Sequence, residues 1–245
     1  MNVRHASADT IVTLADFPIR KTTAHDLAMV VCDAMDQRRA SAVFFANTNL
    51  IMQCRDLLPA LHDDRVLLVN DGIGLSLAAW LFRRDRFPEN LNGTDFTPYL
   101  LGRTTTPLRI FLLGGRPASL VKASAHVREA LGQNVVGAMD GYRDLDDPQL
   151  IESIRAAAPD LVLVALGNPL QEAWILRHRD TVQAGALMGV GALFDFWAGE
   201  KPRAPRWIRA LRLEWLFRLA LEPRRLSRRY TVDIVRFLWT CHRLR

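Results

Sequence analysis

Cysteine is scarce in this 245-residue sequence, and the three present (Cys32, Cys54 and Cys241) show no CxxC spacing. An odd count without paired spacing argues against a disulfide framework or a zinc ribbon and points to a reducing cytoplasm. The six histidines are scattered without ligand spacing, so no metal centre is expected from them. No uninterrupted apolar run approaches about 18 residues, so no segment is expected to span a bilayer. Met1–Arg20 carries Asp9 and Asp16 and no long apolar run, unlike a signal peptide. There is no Walker A sequence and no GxSxG elbow. Gly72-x-Gly74 and Gly189-x-Gly191 each lack the third glycine of a dinucleotide fingerprint, which weakens the alternative of a nucleotide-binding oxidoreductase.

Hydrophobic residues make up 49% and charged residues 24%, the balance of a globular chain. Acidic groups are nearly missing from one end. Lys201–Arg245 holds 13 Lys/Arg against 3 Asp/Glu, net +10, while residues 1–200 hold 19 against 23, net −4. Such asymmetry points to an anionic partner met by one end of the molecule. Trp207, Trp215, Phe217, Phe237 and Trp239 are interleaved with those arginines, which suits a lipid surface better than duplex DNA, so no nucleic acid is expected.

Apolar runs at Ala42–Ala46, Arg65–Val69, Leu108–Leu113, Val135–Met139, Leu161–Leu166 and Ala184–Val190 read as strands. Their near-continuous hydrophobicity fits a mostly parallel sheet buried on both faces. Helical patterns lie between them near Leu50–Leu61, Ile73–Phe82, Ala118–Leu131, Asp147–Ala157 and Pro169–His178. The alternation predicts an α/β class with an open, doubly wound, Rossmann-like sheet. Gly199–Pro205 marks a boundary, giving an α/β catalytic domain over 1–200 and a basic appendage over 201–245. The appendage reads as two helices, about Pro205–Leu221 and Pro223–His242. In the second, Leu226, Tyr230, Ile234 and Phe237 share one face, and Arg225, Arg229, Arg236 and Arg243 another.

Ligands of such sheets bind at the carboxyl ends of strands, where the polar and glycine-rich segments fall. Asp71 directly follows a predicted strand and precedes Gly72, a position open equally to a general base and to a turn or cap. Asp95 has the same ambiguity, with helix capping favoured. Gln171 and Glu172 fall in a helix's first turn, where Glu could answer the dipole. Asp195, past Gly189-x-Gly191, could accept from ribose hydroxyls. Asp144-x-Asp146 has metal-binding spacing but reads better as a helix cap. Glycine-freed backbone N–H groups and guanidinium groups together suit a diphosphate.

The ordered set Asp71-Gly72-Ile73-Gly74, Asn92-Gly93-Thr94-Asp95, Leu112-Leu113-Gly114-Gly115, Gly141-Tyr142, Gly167-x-Pro169-x-Gln171-Glu172, Gly189-Val190-Gly191-Ala192-x-Phe194-Asp195, Arg203-Ala204-Pro205 and Leu213-Glu214-Trp215…Arg218…Glu222-Pro223-Arg224 resembles the WecG/TagA/CpsF glycosyltransferases over about residues 40–229. The resemblance implies an inverting, metal-independent enzyme without a cofactor, moving a sugar from UDP to a polyprenyl-diphosphate-linked glycan at the inner face of the bacterial membrane. It implies Asp71 as base, with Asn47 and Asn49 beside it. It places Tyr142, Gln171 and Asp195 near uridine and ribose. Gly72, Asn92, Thr94, Asp95, Gly114, Gly115, Gly167, Glu172, Gly191, Arg203, Arg218 and Arg224 complete the implied substrate site. Two positions depart. Asn47-Thr48-Asn49 stands where many members have Thr-x-Asn, and Asn90 stands at or next to a common arginine. Without that arginine to meet a sugar carboxylate, the resemblance leans toward a neutral hexose and the GumM-like, UDP-glucose-using branch, with an N-acetylmannosaminyl(uronic acid) donor as the alternative.

Overall fold

The computed structural model describes residues 10–205, 208, 214–224, 227 and 231–244. Eight strands form one sheet: β1 (Thr10–Leu14), β2 (Phe17–Lys21), β3 (Ser41–Ala46), β4 (Val66–Asn70), β5 (Arg109–Gly114), β6 (Asn134–Met139), β7 (Leu161–Ala165) and β8 (Ala186–Gly189). Their spatial order is β1-β2-β4-β3-β8-β7-β5-β6, parallel except for the β1–β2 hairpin. All six strands read from the sequence are present. β3, β4 and β7 are buried at every residue, the condition that makes their sequences continuously apolar rather than alternating.

The helices are α1 (Ala24–Asp36), α2 (Thr48–Gln53), α3 (Leu58–Leu61), α4 (Ile73–Ala78), α5 (Gly93–Leu101), α6 (Pro117–Glu129), α7 (Pro148–Ala156), α8 (Leu170–Val182), α9 (Leu193–Trp197), α10 (Glu214–Leu221) and α11 (Val232–Arg243). A wider helical turn, Ala79–Arg83, prolongs α4 and stops at Arg84, which takes a left-handed conformation. The helices cover both faces. One core layer holds Leu50, Leu75, Trp174, Ile175 and Phe237, and the other Val31, Phe96, Leu100, Val127 and Phe194.

β1, β2, α1 and α9 lie outside the sequence reading. β1 and β2 turn through Ala15 and Asp16, both at positive φ, as a two-residue hairpin with a right-handed twist requires. α1 is capped by Thr23, whose Oγ1 accepts from the Asp26 N–H at 3.1 Å and donates to the Asp26 carboxylate at 2.8 Å. At the other end, α11 packs on α2 and α4 and buries Phe237 and Cys241 in the same layer as Leu50 and Leu75. Ile234 lies half-buried and Arg236 and Arg243 are exposed, while Leu226, Tyr230, Arg225 and Arg229 fall outside the described residues. Among the described residues no helix is long and apolar enough to cross a membrane.

Candidate active site

The strand order switches between the parallel neighbours β3 and β8. β3 leads to β4 on one side, and β5 to β8 lie on the other. A crevice at the carboxyl ends of the strands is the ligand position of such a sheet. Two halves meet there.

In the first half, β3 ends at Asn47 and β4 at Asn70-Asp71. Asn47 caps α2, its Oδ1 accepting from the N–H groups of Asn49 and Leu50 at 3.1 Å each. Its Nδ2 is left to point at Asp71, donating to Oδ2 at 3.4 Å. The Asp71 N–H donates to the Ala46 carbonyl at 2.6 Å, clamping the end of β4 to that of β3. The cap position of α4 is held by Gly72, at φ +100, which has no side chain to cap with. Asp71 is therefore half-buried at a strand end, with one oxygen fixed by an amide. Asn90 reaches the same turn, its Oδ1 accepting from the Gly72 N–H. The buried Asn70 Nδ2 has no partner among the described residues, an unspent donor one residue before Asp71.

In the second half, β5, β6, β7 and β8 end in Gly114-Gly115, Gly141-Tyr142, Gly167-Asn168 and Gly191. Gly114 is at φ +111, and a Cβ there would stand 2.5 Å from the Ala165 carbonyl oxygen, so only glycine lets β5 and β7 close up. The sequence reading treats the glycine N–H groups as free donors for phosphate. The structure corrects this. The Gly115 N–H donates to Ala165 O at 3.0 Å, Gly141 to Gly115 O at 3.1 Å, Gly191 to Gln171 Oε1 at 3.0 Å, and Gly72 to Asn90. Gly141 permits close approach, since a Cβ there would stand 2.8 Å from Leu166, while Gly72, Gly115 and Gly191 supply positive φ, and the donors of all four are already used by the fold. The first turn of α6 follows Gly114-Gly115, but Glu200 stands there, bonded to Ser119 Oγ at 2.9 Å and to Arg116.

A buried polar chain joins the halves. Asn49 Nδ2 donates to Asn168 Oδ1 at 3.1 Å, and Asn168 Nδ2 to Glu172 Oε1 at 2.6 Å. Gln171 Nε2 donates to the same oxygen at 2.8 Å, and Gln171 Oε1 holds Gly191. Cys54 Sγ lies 3.7 Å from Glu172 Oε2. Burial is the main influence on Glu172 and pushes its carboxyl above the ordinary value, against the opposing hydrogen bonds of Gln171, Asn168 and Cys54. Glu172 is fully buried, so it reaches a ligand only through Gln171 and Asn168. The same carboxyl raises the Cys54 thiol further, after burial itself. Neither Asn168 nor Cys54 stands out in the sequence as a site residue. Asn168 is only four residues from Glu172, a local signal within the first turn, whereas Cys54 lies 118 residues away and meets it only in the tertiary structure.

The remaining carboxylates have definite partners. Asp95 is not the cap of α5. Asn92 is, accepting from the Asp95 N–H at 2.9 Å and donating to Asp95 Oδ2 at 2.9 Å. Asp95 also pairs with Arg203, and Thr94 sits half-buried in the first turn of α5. Asp195, in the first turn of α9, pairs with Lys201 Nζ at 2.6 Å. Gly199–Arg203 is thereby tied to the crevice rim through Glu200, Lys201 and Arg203. Tyr142 is 75% exposed on the loop after β6. Arg224 is exposed beyond α10, and the Arg218 side chain falls outside the described residues. The Asp144-x-Asp146 pair does not cap α7, because Asp147 does. Asp146 instead pairs with His178 at 2.8 Å and Arg177 at 2.5 Å, and the His178 hydrogen bond in particular lowers its carboxyl.

The strand ends thus hold Asp71, a half-buried carboxylate fixed by the Asn47 amide, beside glycine-rich turns, with Lys201 and Arg203 tied in at Asp195 and Asp95. A family model described as the glycosyl transferase WecG/TagA/CpsF family matches residues 12–245, extending the resemblance at both ends to take in the β1–β2 hairpin and the last helix. The chain belongs to the WecG/TagA/CpsF glycosyltransferases, which join a sugar donor to a glycan acceptor in surface-glycan synthesis.

Proposed function

We propose that the enzyme is an inverting transferase that takes a neutral hexose from a UDP-sugar and adds it to a polyprenyl-diphosphate-linked saccharide. The observation carrying this reading is Asp71, half-buried at the end of β4 with Oδ2 held by Asn47. The acceptor hydroxyl loses its proton to Asp71 as its oxygen attacks the anomeric carbon from the face opposite UDP. The bond from that carbon to the diphosphate oxygen breaks, and UDP leaves with the electron pair. The uridine and ribose occupy the β5–β8 half, near Tyr142, Gln171 and Asp195. Since the N–H groups of Gly72, Gly115, Gly141 and Gly191 are engaged, the growing diphosphate charge is assigned to Arg203, Arg218 and Arg224 in place of a metal. Arg203 has a switchable partner in Asp95, which it would release on meeting diphosphate.

Asn90 supports the neutral donor. A carboxamide, not a guanidinium, touches the Asp71 turn, and it offers no charge to a uronic acid. This favours a GumM-like, UDP-glucose-dependent activity over N-acetylmannosaminyl or uronic-acid transfer. The basic, aromatic residues 201–245 are assigned the role of an appendage that closes the site at the inner face of the cytoplasmic membrane. Mass spectrometry of the products formed from a panel of UDP-sugars and short lipid-diphosphate acceptors tests the reading. Transfer from UDP-N-acetylmannosamine or its uronic acid in preference to UDP-glucose would refute the donor assignment.

A further inference from the structure

α4 leaves Asp71 at once and carries an apolar ridge that nothing in the described structure covers. Ile73, Leu77, Trp80 and Leu81 are 53%, 39%, 53% and 42% exposed. Their spacing places them along one side of α4 and its wider last turn. Trp80 and Leu81 line an open depression of about 500 Å³ with Arg84 and Arg86. A solvated helix face would not spend four large apolar side chains in nine residues, and contiguous patches of this kind mark interaction sites.

The neighbouring helix repeats the pattern. α11 packs on α4, with Phe82 and His242 rings 6.1 Å apart. Its outer side exposes Val235 and Trp239, at 66% and 58%, and the Arg243 guanidinium lies 4.8 Å from the Trp239 ring centre. The acids nearby are few. Asp85 is paired with Lys21 at 2.6 Å, Glu89 accepts from the Ala24 N–H at 2.8 Å, and Asp233 stands in the first turn of α11.

We propose that α4 and α11 together form a composite face that docks on an anionic lipid surface, with the catalytic domain itself supplying Trp80 and Leu81. The proposal rests on the membrane reading above and adds to it the contribution of α4. Tryptophan and leucine between arginines suit the boundary of acyl chains and anionic headgroups. The geometry also serves catalysis. Ile73–Arg83 spans roughly 16 Å at about 1.5 Å per residue, so a bilayer met by Trp80 lies within a short saccharide's reach of Asp71.

Cosedimentation with phosphatidylglycerol and with phosphatidylcholine vesicles tests this on the full chain. The proteins to compare are the wild type, Trp80→Glu/Leu81→Glu, Arg84→Glu/Arg86→Glu and Val235→Glu/Trp239→Glu. Each double variant is expected to keep the wild-type melting temperature and to bind phosphatidylglycerol vesicles about tenfold or more weakly. For the Trp80/Leu81 and Arg84/Arg86 variants, turnover should fall on an acceptor in vesicles and stay unchanged on a short-chain acceptor free in solution. Wild-type protein that ignores phosphatidylglycerol would refute the membrane reading as a whole. Wild-type binding that survives the Trp80/Leu81 and Arg84/Arg86 changes would overturn the composite face alone. A change of oligomeric state in those variants, seen by light scattering, with vesicle binding intact would overturn it in favour of a protein interface.

Discussion

Glu172 is the buried hub of the site, and two substitutions separate its hydrogen-bonding role from its charge. Oε1 accepts from Asn168 at 2.6 Å and from Gln171 at 2.8 Å, while Oε2 faces the Cys54 thiol at 3.7 Å. In Glu172→Gln the amide oxygen keeps both acceptor contacts, and the new NH2 takes the side facing sulfur. In Glu172→Ala both donors lose their acceptor. A buried donor left unsatisfied costs about 1–3 kcal/mol, with Gln171 at the upper end because it is buried and Asn168 at the lower end because it is half-buried. The cavity adds about 1 kcal/mol, so the alanine variant should lose roughly 3–5 kcal/mol. The sign of the pH dependence follows from the direction of the shift. Burial raises the folded carboxyl, so the folded state prefers the protonated form. Glu172 contributes its stability in full below the ordinary value of 4.5, and that contribution is lost as pH rises through the higher folded value. The glutamine variant has no such slope and should gain on wild type as pH rises. Urea unfolding of the three proteins across that range measures both effects. A glutamine variant as unstable as the alanine one, or a wild-type-to-glutamine difference that ignores pH, would refute the hub.

Four further outcomes are expected. Asp71→Asn should retain the fold and UDP binding and lose about 10²-fold or more in turnover, the scale of a missing general base; near-wild-type turnover removes Asp71 from the mechanism. Transfer should survive EDTA, since Asp146 is held by His178 and Arg177; activity lost on chelation and restored by Mg²⁺ or Mn²⁺ would reinstate Asp144 and Asp146 as ligands. Gly189→Ala should raise KM for the donor and cost about 1–3 kcal/mol of stability, because the new Cβ would stand 2.9 Å from Gln171 Nε2 and push that donor off Glu172; an unchanged KM dissociates Gln171 from donor binding. Phe237→Ala should cost about 3–5 kcal/mol, because the ring is fully buried in the layer shared with α2 and α4; a melting temperature within error of wild type would make α11 a loose appendage.

The centre of the sheet was legible because β3, β4, β7 and β8 are buried on both faces. A run such as Val66–Asn70 has no solvent-facing residue to interrupt it, so the local sequence carries the global position. The hairpin of β1 and β2 was not legible. Its turn uses Ala15 and Asp16 at positive φ instead of Asn-Gly, and Pro18 sits in the second strand. α1 carried a usable signal, the reciprocal Thr23–Asp26 cap ahead of an apolar-periodic run.

The site divides along the same line. Sequence by itself determined which residues can do chemistry at strand ends: Asp71 after an apolar run, the glycines at the turns, the excess of arginine past residue 200, and the order of motifs that marks the family. Tertiary structure alone decided what those groups are free to do. Hydrogen bonds across strand ends use up the N–H groups of Gly72, Gly115 and Gly191, and ion pairs with Lys201 and Arg203 engage Asp195 and Asp95. Packing of α2 against α8 turns Glu172 from a first-turn carboxylate into a buried hub. Asn168 and Lys201 stand only four and six residues from Glu172 and Asp195, but Asn90, Gln171, Arg203 and Cys54 lie 18 to 118 residues from the groups they engage, and no local pattern records those. Whether a donor is spent or a carboxylate is buried is a property of the packed neighbourhood, not of the residue.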